Sequence, residues 1–275
     1  MAEQPVIRTW EEYKQWVSKL VERKQDYYYR GQMDVRWKLQ TTFHREVLTL
    51  KFTIQDYLTH IIPEVHYHIS AWQNEIIDLQ KPDEFGAFLA LLRHHGFPTP
   101  LLDWTLSPYI AAYFAFRDIN DRNPQCDHVR ISIFDYQSWL TSFEQILDLR
   151  DPKQYISVFR PYAKYNSRII PQRGTYTVTN VSDMAAYIQQ RSSELKKIFL
   201  REVTLPVTER TKVMRELNLV GLNEMSLFPG LDGICRTMRE QFFSQDQVGL
   251  TPTQLKELLD LLRTKTQPKG LIPEK

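Results

Sequence analysis

Three short stretches of this 275-residue chain are dense in groups that grip a ligand. In Tyr27-Tyr28-Tyr29-Arg30-Gly31-Gln32, a guanidinium follows an aromatic run and sits beside a glycine that lets backbone approach a ligand. The bland alternative for Arg30 is a structural salt bridge. The second stretch, Arg93 to Pro108, carries His94, His95, Asp103, Trp104, Thr105 and Ser107, punctuated by Gly96, Pro98, Pro100 and Pro108. It reads as a rigid loop between two helices, where functional groups concentrate. Asp103 and Thr105 could equally cap turns while Trp104 fills core. The third, Arg160 to Gly174, holds Arg160, Lys164, Arg168 and Arg173 with Tyr162, Tyr165 and nearby Tyr176, and no acid. Cations for phosphate and rings for stacking suit a nucleotide or a single strand. A solvated basic face is the competing reading.

Several enzyme classes are excluded by what is missing. No G-x-G-x-x-G follows a strand, and no phosphate-cradling G-x-x-x-x-G-K-[ST], H-E-x-x-H or G-x-S-x-G occurs. His66 and His68 lie two apart and would not share a helix face, so no metal is expected. Cys126 and Cys235 are too few for a disulfide framework or a thiolate zinc site and suit a reducing cytosol.

The elements that must position these groups follow from periodicity. Thr9-x-x-Glu12 makes a capping box, and Trp10, Tyr13, Trp16, Val17 and Leu20 recur at helical spacing behind it. Residues 26–30 read as a short strand and 43–80 as helix interrupted at Pro63. A further helix covers 83–95, and the loop 96–106 leads to Ser107-Pro108, a cap followed by proline at the first helical position. The helix that follows carries Ala111, Ala112 and Ala115, small enough to admit a close neighbour. Strands are predicted at 129–134, 156–160, 175–179 and 198–205, with helix at 136–147. Helices at 208–219, 229–243 and 252–264 precede a polar tail expected to fray. The class is α+β.

Composition bounds the rest. With 42% hydrophobic and 25% charged residues the chain is globular, and 35 Lys+Arg against 33 Asp+Glu leave no chain-wide basic footprint for nucleic acid. The start has no secretory pattern, and the run Pro108 to Phe116 is far short of the ~20 residues of a membrane-spanning helix. A soluble cytoplasmic protein is expected, with one domain over 1–250 and a C-terminal helix and tail over 251–275.

Taken together, the three stretches resemble the FRG domain family. Tyr29-Arg30-Gly31-Gln32 stands for its opening Phe-Arg-Gly and following Gln, Arg93 to Thr105 for its Gln-His-x-Gly-x-Pro-Thr-x-Leu-Leu-Asp-Trp-Thr signature, and Asn166 to Tyr176 for its Asn-x-Arg-Ile-x-x-Gln-x-Gly-x-Phe segment. Ser226 to Gly233 is similar to its closing motif, so the likeness spans about residues 25 to 240. Tyr29 and Tyr176 replace phenylalanines and keep a ring, whereas Arg93 replaces a neutral Gln with a cation.

The family's layout is similar to that of ADP-ribosyltransferases. The resemblance implies an ADP-ribosyltransferase-like split β-sheet core with helical additions at both ends, and NAD as co-substrate. Arg30, His94, Asp103 and Gln172 are implied as catalytic residues, with Glu202 added because it lies on a late strand. Tyr29, Arg30, Gly31, His94, Trp104, Thr105 and Ser107 would hold NAD. Arg160, Lys164, Arg168 and Arg173 would hold a nucleic-acid acceptor, RNA ahead of DNA. The resemblance also implies a toxin in a toxin-antitoxin or anti-phage module, with a neutralising antitoxin partner. A protein acceptor, or a non-catalytic module that binds a nucleotide or nucleic acid, is the rival expectation.

Overall fold

The computed structural model describes residues 7–22, 26–50, 52–73, 75–119, 126–162, 166–243 and 252–265. Their contacts divide the chain into two units, 1–222 and 223–275. The first unit is built on one six-stranded, wholly antiparallel sheet: β1 (Tyr28–Gln32), β2 (Leu101–Thr105), β3 (His128–Phe134), β4 (Ile156–Phe159), β5 (Gly174–Thr179) and β6 (Leu200–Pro206). Their spatial order is β4-β5-β2-β1-β3-β6.

Helices α1 (Trp10–Glu22), α2 (Thr42–Leu50), α3 (Ile54–Asp56), α4 (Ile62–Gln73), α5 (Pro82–His94), α6 (Pro108–Phe116), α7 (Tyr136–Ser142), α8 (Met184–Leu195) and α9 (Arg210–Leu219) complete this unit. The second unit holds α10 (Glu224–Leu227), α11 (Leu231–Phe243) and α12 (Pro252–Lys265). The α+β class and the helices at each end of the chain are as the sequence predicts.

The two faces of the sheet bury separate cores. Leu101, Tyr176 and Val178 cluster with Phe43, Tyr57, Phe88, Leu89 and Leu92 from the helices of residues 42–94. Leu102, Trp104, Tyr28 and Phe134 cluster on the other face with Trp139 of α7 and Met184 and Ile188 of α8. This division follows strand alternation, since successive side chains leave a strand on opposite sides.

Three expectations of local structure are corrected. Residues 101–105 are a central strand, not part of a loop, with Leu101, Leu102, Trp104 and Thr105 all buried. A short strand covered on both faces shows no polar alternation, and its flanking prolines mimic a loop. Among the described residues of 43–80, helix is confined to α2, α3 and α4, which ends at Gln73, with a π-helical turn at Tyr57–Ile61 running directly into α4, whose first turn holds Pro63. Pro63, which lacks an N–H, falls at the switch from π to α hydrogen bonding, one residue after the Ile62 N–H reaches back to the Tyr57 carbonyl. The predicted helix at 136–147 ends at Ser142.

The small residues of α6 have a specific neighbour. A Cβ on Gly31 would lie 1.9 Å from the Ala111 carbonyl oxygen and 2.6 Å from the Ala115 nitrogen, so β1 and α6 touch backbone to backbone. The space beside Gly31 is therefore filled by α6, which corrects the expectation that this glycine admits a ligand on that side. Gly31→Ala should cost about 3 kcal/mol of stability, because the obstacle is backbone and not a side chain that can swing away. Urea unfolding of the variant checks this; a loss below 1 kcal/mol would mean that the helix yields.

His44 in α2 is a buried ring that sequence reading left aside. Its Nδ1 lies 2.7 Å from the Thr41 hydroxyl, and burial pulls its pKa down to about 4. The unfolded chain binds this proton near 6.5 and the folded chain only near 4, so the stabilising effect is complete above pH 6.5 and lost as pH falls through that window. Stability should drop by about 2 kcal/mol between pH 7 and 5, above the range where ordinary carboxylates titrate. His44→Gln should flatten that slope in urea titrations run at each pH.

Candidate functional site

The site grows from the seam between β1 and β2, which meet in register at one pair, Tyr29 opposite Thr105. Arg30 is the next residue of β1 and reaches across the seam. Its Nη1 donates to the Asp103 carbonyl at 2.7 Å and lies 3.8 Å from the Asp103 carboxylate. Its Nε is buried with no hydrogen-bond partner. Burial pulls the Arg30 pKa down to about 10; Asp103 opposes the shift, while Arg93, Arg45 and Arg130 add to it. Arg30 remains charged at neutral pH, and it faces three other guanidiniums and one carboxylate. Such surroundings favour an added anion.

Arg93, at the C-terminal end of α5, supplies the other side. Its Nε and Nη2 donate to Asp103 Oδ2 at 2.7 and 2.5 Å, and its Nη1 donates to the Thr42 hydroxyl at 3.4 Å. Asp103 holds the Arg93 pKa up. The cation that departs from the family's Gln thus has a defined contact, the aspartate of the same motif. Tyr176 lies opposite Asp103 on β5, and its hydroxyl accepts from Asn166 Nδ2 at 3.1 Å. His94 joins this group at its edge: burial, then Arg168 and His95, push its pKa down, against a hydrogen bond with Asn166.

Other predicted site residues have structural duties. Trp104 is 3% exposed, stacks on Phe134 and donates its indole N–H to the Thr177 hydroxyl at 2.9 Å, so it fills core and is not placed to hold a nicotinamide ring. Tyr29 is likewise buried, with its ring edge-on to Tyr27. Thr105 donates to the Gln172 carbonyl at 2.7 Å and accepts from the Ser107 backbone N–H, tying β2 to the turn before β5 and to the start of α6. Ser107 caps α6 by accepting from the Ile110 N–H. Gln172 sits in that same turn, half-buried, beside Arg173, whose φ of +46° is left-handed. A non-glycine residue held there costs free energy, so the turn is over-determined by its surroundings.

Glu202 lies on the far side of Arg30. In the cross-strand row Arg30, Ser132, Glu202, adjacent partners on β1, β3 and β6 share one face of the sheet. The Glu202 carboxylate is 3.3 Å from Arg130 Nη1, and Arg130 also donates to Gln32 Oε1 at 3.1 Å and to the Trp37 carbonyl. The Ser132 hydroxyl, Glu202 Oε1 and Arg130 Nε are buried without hydrogen-bond partners. Sequence reading missed Ser132 and Arg130. Alternation through Val129 to Phe134 could have placed both on the Arg30 face, but the register that aligns them is not local.

The basic stretch forms the connection from β4 to β5, whose paired ends Phe159 and Tyr176 bring its two ends together. Arg160 follows β4 and is exposed, Arg168 is half-buried near His94, and Arg173 is exposed at the turn. Lys164 and Tyr165 lie outside the described residues. Among the described residues, no group of three or more His, Cys, Asp or Glu could hold a metal ion, and no helix is long and apolar enough to cross a membrane.

No curated protein and no solved structure matches the chain. The model of the FRG domain family matches residues 25–124, a span that holds Arg30, Arg93, His94 and Asp103 and ends before Ser132, Asn166 and Glu202. Over residues 25–124, this chain carries the FRG domain.

Proposed function

We propose that the chain is an NAD-dependent ADP-ribosyltransferase acting on a macromolecule, with nucleic acid as acceptor and RNA ahead of DNA. The carrying observation is Arg30, a charged guanidinium at the β1–β2 seam with a buried, unpartnered Nε and mostly cationic neighbours. That arrangement fits a pyrophosphate, whose oxygens match a planar fork of N–H donors. A sheet whose halves meet at one residue pair also suits the split core of that enzyme class. The fit at the nicotinamide end is weaker, since Trp104 is core; His94 is a half-buried ring beside Arg168 and Asn166.

In the reaction, the bond between ribose C1′ and the nicotinamide nitrogen breaks with its electron pair leaving on nicotinamide. The ribosyl centre becomes oxocarbenium-like, and an acceptor nucleophile adds to C1′ and gives up a proton. Arg30 holds the phosphates. A carboxylate from Glu202 or Asp103 would stabilise the positive ribosyl centre. Such an enzyme would act as the toxin of a toxin-antitoxin or anti-phage module, countered by an antitoxin protein.

A second reading, a non-catalytic nucleotide-binding module, draws on one observation. Both candidate carboxylates are engaged by guanidiniums, Asp103 by Arg93 and Glu202 by Arg130. Incubating the protein with labelled NAD and total cellular RNA, DNA and protein, then locating label by mass spectrometry, separates the readings. Label on RNA supports the proposal; label only on polypeptide replaces the acceptor, and no label leaves the binding module. Neutralising Arg160, Arg168 and Arg173 together should raise the acceptor KM about tenfold and flatten its salt dependence while sparing NAD affinity. A steady-state series in NAD and in acceptor checks it.

A further inference from the structure

A cavity of about 560 Å³ lies in the first unit between the π-helical turn, the start of α5, the 147–150 loop and the β4–β5 edge of the sheet. Its floor is apolar, with Leu58, Ile62, Phe85, Leu89, Phe159 and Val178, and polar groups including Asp148 and Arg150 complete the lining. Gly86 is part of this construction, because a Cβ there would come within 2.5 Å of the Phe159 ring, so only glycine lets that ring lie against α5. Leu147 at the rim is 52% exposed, an apolar group left uncovered at the mouth. The volume is in the range of pockets that enclose a small ligand.

The rim sets the charge. Segments 78–84 and 148–151 carry Asp78, Asp83, Glu84, Asp148 and Asp151 against Lys81 and Arg150. Both cations are already engaged, Lys81 with Asp78 and Glu84 at 3.4 and 3.0 Å, and Arg150 with Asp148 at 3.2 Å. Hydrogen bonds from Arg150 hold Asp148 below the usual carboxylate range. Asp83 lines the cavity and has no ion-pair partner among the described residues.

The cavity is separate from the seam. Phe159, Tyr176 and Asp103 form one cross-strand row, and buried Tyr176 stands between the other two.

We propose that this cavity is a second ligand site, for a small amphipathic amine whose apolar body fills the floor and whose cationic head meets Asp83. It does not depend on NAD chemistry. Calorimetric titration of the full chain with 4-phenylbutylamine, 4-phenylbutanol and 4-phenylbutyrate tests it, since the three share a body and differ in head charge. The amine should bind one-to-one and at least tenfold tighter than the carboxylate, as one charge-assisted contact implies. Asp83→Asn, at an exposed position that leaves the fold intact, should bring the amine to the affinity of the alcohol. Leu58→Trp should fill the cavity and remove binding of all three, with a thermal melt confirming the fold. Equal affinity for amine and carboxylate, no binding of any of them, or amine binding that survives Leu58→Trp in a folded variant would overturn the proposal. If Leu58→Trp does not fold, the Asp83→Asn comparison decides alone.

Discussion

Replacing Asp103 by asparagine should strengthen anion binding at the seam while weakening the fold. In the structure, one Asp103 oxygen accepts two N–H groups of Arg93 and lies 3.8 Å from Arg30. The carboxylate thus occupies the guanidiniums that an incoming phosphate would need. Asparagine keeps the shape and removes the charge, so Arg30 and Arg93 lose their counter-ion. Breaking a buried pair costs about 3 to 5 kcal/mol, but the Asp103 side chain is 40% exposed and solvent screens it, which brings the expected loss to about 2 kcal/mol. Inorganic pyrophosphate should bind about tenfold tighter to the variant and restore its melting temperature. Calorimetry on both proteins measures this. Weaker binding in a folded Asp103→Asn would mean that the carboxylate is needed to hold the guanidiniums in place for the anion.

Arg30→Lys should have the larger effect on activity. An ammonium is a point charge that cannot direct two N–H groups at two oxygens, and losing one charge-assisted bond costs roughly 1.5 to 3 kcal/mol, about ten- to a hundredfold in kcat/KM for NAD. A residue that merely lined an open cleft would leave folding unchanged. The structure adds a cost, because Arg30 also donates to the Asp103 carbonyl across the seam. A loss of about 1 kcal/mol is therefore expected as well, the net worth of one hydrogen bond. Activity should fall much further than the folded fraction. Turnover measured beside the melting temperature separates the two, and wild-type turnover in a folded lysine variant would remove Arg30 from the site.

Local chemistry made much of the scaffold legible. Ser107-Pro108 starts α6 where a cap and a first-turn proline require, and the alanines of α6 announce the close approach that Gly31 completes. What local chemistry could not convey was pairing. The strand holding Asp103 and Trp104 is central, and burial on both faces erased the alternation that marks a strand; with it went the distinction between a tryptophan offered to a ligand and one filling core. Arg93 and Asp103 are ten residues apart with Gly96 and two prolines between them, and only the packing of α5 on the sheet closes that gap. Ser132 and Glu202 join Arg30 through register alone, which depends on three strands distant in sequence.

The central claim is that Arg30 holds a dinucleotide whose glycosidic bond is then broken. Nicotinamide release from NAD by the full chain, with total RNA present, measures it most directly. The account predicts release by the wild type and a ten- to hundredfold lower kcat/KM for folded Arg30→Lys. NAD bound by the wild type but left intact, with no nicotinamide freed in the presence of RNA, DNA or protein, would contradict it.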